Sequence, residues 1–277
     1  MNIKKNNNSF RNDRPDNNIE NDESGRLEGK NAVLEALKAN HSLNRLYLEK
    51  DTKDPILSKI YAMARNKGYV VTFLEKGKLD QMSVARGHQG VIAEAAPHSY
   101  ADLDDVLERA AKMGQPPLLL ILDGITDPNN LGSIIRTAEC AGVHGIILPK
   151  RRSVGLTPVV AKVAAGAAEY IPIIRVTNLT RTIQDLKKAG VWIAAADPAG
   201  DTYYDRYDYS EATAVVIGSE GEGISRLVRE NCDSIIKIPM YGEINSLNAA
   251  TAASLVVFHA ARKREEAGVI SAKVIHG

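Results

Sequence analysis

Cysteine is scarce in this chain, and the two present, Cys140 and Cys232, make neither a disulfide framework nor a metal-ligand spacing. No metal site is expected, and Cys140, inside a helical pattern, reads as a small buried thiol. Net charge is scarce as well: 35 Lys and Arg against 34 Asp and Glu leave +1, so no global basic field announces a nucleic-acid binder. Any positive charge offered to a polyanion must be local. Long apolar runs are missing, and no signal-peptide core follows the polar N-terminus, which points to a cytoplasmic chain without a membrane partner. What is present is ample for folding: 277 residues, 44% of them hydrophobic, can fill one large core or two modest ones.

Residues 1–24, rich in asparagine and charge, cannot offset the entropy of ordering and read as a disordered tail. Residues 25–96 read as a small α/β unit. Val33, Leu34 and Leu37 share a helical face with Asn31 as its cap, and Ile56, Ile60 and Met63 form a second stripe that Gly68 can end. Residues 46–48, 70–73 and 91–93 read as strands. Residues 97–117 form a linker and helix: Pro97 disfavours helix before it, 102–112 is helical, and 114–117 breaks the chain. From 118 to 277 strands and helices alternate, with strands at 118–122, 145–148, 171–174, 191–195, 214–217 and 235–238. Helices are expected over 131–141, 157–165 and 179–188, and after Asn248. That alternation predicts a parallel sheet with helices on both faces.

The last two strands each release into a loop and then a helix, and ligands of open α/β sheets bind outside such strand ends. The loop over 218–223, GSEGEG, has glycines spaced G-x-x-G-x-G and not the dinucleotide-binding G-x-G-x-x-G. Glu220 and Glu222 inside it would repel a pyrophosphate. A nicotinamide cofactor is thereby disfavoured, and a ligand with a cationic centre, or one held by backbone contacts to a nucleoside, is better suited.

Three stretches together resemble a known family. DPNNLGSIIRTAECAG (127–142), with Asn130, Gly132 and Arg136, then GSEGEG, then IPMYGEINSLNAATAASLVV (238–257), are similar to the three motifs of the SpoU-type RNA 2′-O-ribose methyltransferases of the SPOUT class. The likeness spans about 118–264. It implies a C-terminal parallel-sheet domain with a trefoil knot that holds S-adenosylmethionine. GHQGVIAE (87–94) resembles the end of the L30e-like domain that grips RNA in such enzymes, with Arg45, Lys50, Arg86, His88 and Gln89 as candidate contacts. The two-domain layout looks most like the RlmB/TrmH group 3 branch, which implies a guanosine of 23S ribosomal RNA as target. A transfer RNA or another ribosomal site is the alternative. A non-catalytic RNA-binding or ribosome-assembly protein of the same fold is the reading from another class.

The resemblance also implies residue roles. Arg136, Asn130, Glu220, Ser246 and Asn248 border the reaction, and Gly218, Gly223, Ile238, Pro239, Met240 and Leu247 border the cofactor. Residue type alone offers plainer readings: Asn130 as a helix cap, Glu220 as a partner of loop amides, Ser246 and Asn248 as the start of the last helix. Lys150, Arg151 and Arg152 form a basic cluster suited to an RNA backbone or to a solvated surface. The small residues at 245–253 suit the close approach of a second copy, as in the homodimers of the family. Methyl transfer to a 2′-hydroxyl needs alignment and a route for the proton. A guanidinium is never deprotonated in proteins, so Arg136 suits phosphate binding or alkoxide stabilisation and not the role of base.

Overall fold

The computed structural model describes residues 25–84 and 87–272; the expectations for the N-terminal tail and for Arg86 lie outside them. The first unit runs β1 (Arg26–Glu28), α1 (Lys30–Lys38), β2 (Leu43–Glu49), α2 (Pro55–Asn66), β3 (Val71–Leu74), α3 (Lys76–Met82) and β4 (Val91–Ala95). Its sheet has the order β1-β4-β2-β3, with only β2 and β3 parallel. Alternation along β2 sends Leu46 and Leu48 inward, against Val33 and Leu37 of α1 and Leu57 and Ile60 of α2. Asp54 starts α2 by accepting from the amides of Ile56 at 2.8 Å and Leu57 at 3.2 Å, with Pro55 at the first helical position. Asn31 is not a cap: α1 begins one residue earlier, behind Gly29, whose φ of 92° only glycine adopts freely.

After α4 (Leu103–Lys112) comes the second unit: β5 (Leu118–Asp123), α5 (Pro128–Cys140), β6 (Gly145–Pro149), α6 (Pro158–Ala164), β7 (Ile173–Val176), α7 (Leu179–Lys188) and β8 (Trp192–Ala196). It ends with β9 (Thr202–Tyr203), β10 (Thr213–Gly218), α8 (Arg226–Glu230), β11 (Ser234–Lys237) and α9 (Ala249–Glu266). The seven strands lie in the order β7-β6-β5-β10-β8-β11-β9, and every pairing is parallel. Two buried layers explain why residues 118–122 read as an unbroken apolar run. Leu118, Leu120 and Leu122 pack on one face with α5, α6 and α9. Leu119 and Ile121 pack on the other with α4, α7 and α8.

Two tight contacts fix the helices. A Cβ on Gly132 would lie 2.6 Å from Cβ of Val163 and 3.0 Å from the carbonyl oxygen of Val160, so this glycine lets α5 and α6 touch. Arg264, 1% exposed, sits in the last turn of α9 and donates to the carbonyls of Tyr209 at 3.1 Å, Glu211 at 3.3 Å and Pro116. It bolts α9 to the chain leading into β5 and β10. Cys140 is exposed at the end of α5, not buried as its pattern suggested. Burial does act on Cys232, whose thiol is pushed up to about 12. Among the described residues, no helix is long and apolar enough to cross a membrane.

Candidate active site

Because the second sheet is wholly parallel, all its strand ends open on one edge, and β10 there lies between β5 and β8. A cavity of about 470 Å³ opens at that edge, within the usual size of small-molecule sites. Its walls come from the end of β8, the loop after β10 and the segment joining β11 to α9. That loop is pinched shut where Ser219 and Gly223 exchange backbone hydrogen bonds of 3.1 and 3.0 Å. Gly221 and Gly223 hold positive φ of 88° and 69°. Gly218 is required by proximity: a Cβ there would come within 2.3 Å of the carbonyl carbon of Gly223.

Five of the six expected cofactor residues line the cavity: Gly218, Gly223, Ile238, Met240 and Leu247. Pro239 is not among its walls. Asp197, Pro198 and Asn245 also line it and were missed. The signal for Asp197 was available, since Asp-Pro directly follows the strand that ends at Ala196. The lining holds three carboxylates, Asp197, Glu220 and Glu222, and no Lys, Arg or His. Asp197 is anchored by Arg229 at 3.5 Å and by the amide of Ala199 at 2.8 Å.

A cluster of amides closes one side of the cavity. Asp127 caps α5, accepting from the amides of Asn129 at 2.6 Å and Asn130 at 3.2 Å. Asn130 is thus not the cap. Its side chain is released to donate from Nδ2 to Oε1 of Glu220 at 3.0 Å. Nδ2 of Asn248 donates both to Oδ1 of Asn130, at 2.9 Å, and to Oε1 of Glu220. The backbone amide of Ala249 reaches the same oxygen at 3.4 Å. Asn248 also caps α9 through Oδ1, accepting from Ala250 at 2.9 Å and Thr251 at 3.2 Å. Cap and site residue are the same group here. Glu220 holds Asn130 and Asn248, and not Arg136. Ser246 lies on the cavity wall. Arg136 is exposed farther along α5, with no ion pair or side-chain hydrogen bond among the described residues.

The expected RNA contacts divide. His88 is corrected: it is 6% exposed, and its Nδ1 accepts from the amide of Gly90 at 2.9 Å. Nε2 therefore carries the proton and donates to Asp80 at 2.8 Å. It braces the turn before β4 and has no face to offer RNA. Gln89 and Lys50 are exposed, and Arg45 is half-buried on β2 opposite Glu94. Arg151 and Arg152 are exposed, whereas Lys150 reaches into the first unit and donates to the carbonyl of Gly68 at 2.9 Å.

Comparison with known proteins bears on this geometry. A sequence model of the SpoU rRNA methylase family matches residues 117–258. A second, for RNA 2′-O ribose methyltransferase substrate binding, matches residues 26–101. YacO of Bacillus subtilis, a TrmH family protein named as a tRNA/rRNA methyltransferase, is 45% identical over 240 residues, covering 87% of this chain and 96% of that one. A like-named Staphylococcus aureus protein is 46% identical over 242 residues, covering 87% and 97%. Among solved structures, the AdoMet-bound rRNA methyltransferase of Sinorhizobium meliloti matches with a TM-score of 0.54 and 27% identity, covering 87% of each chain. The SpoU methyltransferase AviRb of Streptomyces viridochromogenes, solved with AdoMet, shares the fold at a TM-score of 0.56 and 24% identity, covering 87% and 90%. With relatives this similar along nearly their whole length, and a family model over its second unit, the chain belongs to the SpoU rRNA methylase family and is an RNA methyltransferase.

Proposed function

We propose that the chain transfers a methyl group from S-adenosylmethionine to a ribose 2′-hydroxyl of RNA, on a guanosine of 23S ribosomal RNA, as a cytoplasmic homodimer of the RlmB/TrmH group 3 branch. The observation that carries the methyl donor is the cavity's lining: three carboxylates, no cationic side chain, and apolar walls from Ile217, Ile238 and Leu247. Such a site repels a pyrophosphate and suits a nucleoside that bears a sulfonium cation. When bound, this group supplies an electrophilic methyl carbon on an excellent leaving group.

The chain's own residues supply the rest. Asn130 and Asn248 lock Glu220 through one oxygen, and Oε2 has no partner among the described residues. We assign that oxygen the 2′-hydroxyl proton, taken up as the new C–O bond forms. Arg136, a fixed cation on the helix that carries Asn130, binds the neighbouring phosphate or steadies the developing alkoxide.

Support for the 23S target is the two-unit layout with GHQGVIAE before the second unit. The relatives' names span tRNA and rRNA, so another RNA site is the second reading. The complete set of motif residues argues against a non-catalytic protein. For the homodimer, α9 turns Leu255 and Phe258, 40% and 50% exposed, to the outside beside α5, where a second copy would cover them. We propose the trefoil knot of the class for the second unit.

Calorimetric titration with S-adenosylmethionine, with NADH as control, tests the reading. Saturable binding of the first alone is expected, and a folded protein that binds NADH or neither ligand contradicts it.

A further inference from the structure

The seam between the two units has chemistry that the methyl-transfer site does not use. Arg175 of β7 donates from Nη1 to the carbonyl of Asn44 at 3.0 Å and from Nη2 to the carbonyl of Lys150 at 2.9 Å. Its guanidinium lies 5.2 Å from the Tyr100 ring centroid. Asn44 returns the tie, donating to the carbonyl of Leu156 at 2.6 Å. Lys150 bonds Gly68 as described, and Lys67 donates to the carbonyl of Leu37 at 2.5 Å and to Asn40. These side chains wall a cavity of about 240 Å³ that Asp102 also borders.

The charges there do not balance. Lys67, Lys150 and Arg175 face a single carboxylate, and no ion pair neutralises any of the three among the described residues. Their partners are neutral carbonyls and the side-chain amides of Asn40 and Asn44. Burial and the neighbouring Arg175 both pull the Lys150 ammonium below its ordinary range, as expected of two cations held together. Nε of Arg175 is buried without a partner. Each ammonium has three donors and spends only one or two on the protein, so an anion entering the cavity finds N–H groups free to meet it.

We propose that this cavity holds a phosphate group of the RNA substrate, between Lys67 of the first unit and Lys150 and Arg175 of the second. The inference rests on the RNA-methylation reading and adds a subsite to it. Topology supplies the path. Lys150 follows β6 and Arg175 is the penultimate residue of β7, so both stand near the strand edge that opens the larger cavity. β6 is two strand positions from β10, about 10 Å at the usual strand spacing. RNA gripped by the first unit crosses this seam on its way to Asn130 and Glu220. Arg151 and Arg152 continue the positive edge outward.

The test uses the full chain with Lys67→Gln, with Lys67→Gln/Lys150→Gln, and with Lys188→Gln on the remote face of α7 as control. Binding of a labelled single-stranded RNA 30-mer is followed across a KCl series. Each phosphate that is no longer neutralised lowers the slope of log K against log salt by about 0.7, and only the seam variants should show it. An unchanged slope in both seam variants, with melting temperature preserved, overturns the proposal. If the double variant melts early because the Gly68 carbonyl is left without its donor, Lys67→Gln alone decides. In a second arm, inorganic phosphate replaces chloride at equal ionic strength. A phosphate-induced rise in melting temperature that the seam variants lose, without any change in the RNA slope, would give the cavity to free phosphate and also overturn the RNA claim. Binding of S-adenosylmethionine is measured in parallel: its loss in the wild type marks failure of the methyl-transfer reading, and its retention isolates the seam.

Discussion

Glu220→Gln separates the two tasks assigned to this residue. Oε1 accepts from Asn130 at 3.0 Å, from Asn248, and from the amide of Ala249 at 3.4 Å. All are neutral N–H donors that the substituted amide carbonyl can still receive. What disappears is the charge, and with it the capacity to take up a proton. Charge-assisted hydrogen bonds exceed neutral ones by about 1 kcal/mol each. Two close contacts at a solvent-exposed site then amount to about 1 kcal/mol after screening, or roughly 2–4 °C in melting temperature for a chain this long. Loss of a positioned proton acceptor costs about 10²–10⁴ in rate. Single-turnover incorporation of labelled methyl into RNA should therefore fall at least about a hundredfold, while affinity for the methyl donor changes less than about tenfold, or 1.4 kcal/mol. Glu220→Ala, which removes all three hydrogen bonds, should add a larger drop in stability. A Glu220→Gln rate within a few-fold of wild type would refute the proton assignment and leave Glu220 as a brace for Asn130 and Asn248.

Three other perturbations test the fold that carries the site. Gly132→Ala forces a methyl group against Val163 and the Val160 carbonyl; overpacking of this kind costs about 1–3 kcal/mol, read as a melting temperature lower by several degrees. Arg264→Met strands the carbonyls of Tyr209, Glu211 and Pro116, with an expected loss of at least about 3 kcal/mol in chemical denaturation. Arg264→Lys should restore little, because an ammonium cannot reproduce the fork. His144 is neutral, accepting from the Leu118 amide at 3.0 Å and donating to Gln115 at 3.1 Å, and burial, aided by Arg264, lowers its pKa to about 4. The unfolded chain then binds the extra proton first, so this contribution to stability is complete above about pH 6.5 and is lost as pH falls toward 4. His144→Gln should flatten melting temperature against pH in that window, and an unchanged profile would remove His144 from the account.

The second sheet is legible in the sequence because its strands are buried on both faces and stand out as apolar runs between helical patterns. Boundaries slip where capping decides. The apolar pattern puts a helix over residues 131–141, but Asp127 and Pro128 start α5 three residues sooner. The strand expected at 171–174 runs Ile173–Val176. β1 and α3 are short and carry little periodicity, so local pattern announces neither. Strand order and the three-way meeting of Asn130, Glu220 and Asn248 are long-range facts that no local pattern encodes; only the family resemblance points to those residues. His88 fails as a surface residue for a related reason, and the bond that ties Lys150 to the first unit is equally hidden from the sequence. Each is polar in a polar stretch, and only the fold supplies the partner, Asp80 for one and Gly68 for the other.

The most direct test of the account is where the methyl group goes. Protein-free 23S ribosomal RNA from cells lacking this enzyme is incubated with the protein and methyl-labelled S-adenosylmethionine, then hydrolysed with alkali. A 2′-O-methyl blocks cleavage of the adjacent phosphodiester, so the account predicts label in an alkali-resistant dinucleotide that begins with guanosine, and none with Arg136→Ala. Label recovered in mononucleotides would mean methylation of a base, and no incorporation into any RNA supplied would contradict the enzyme itself.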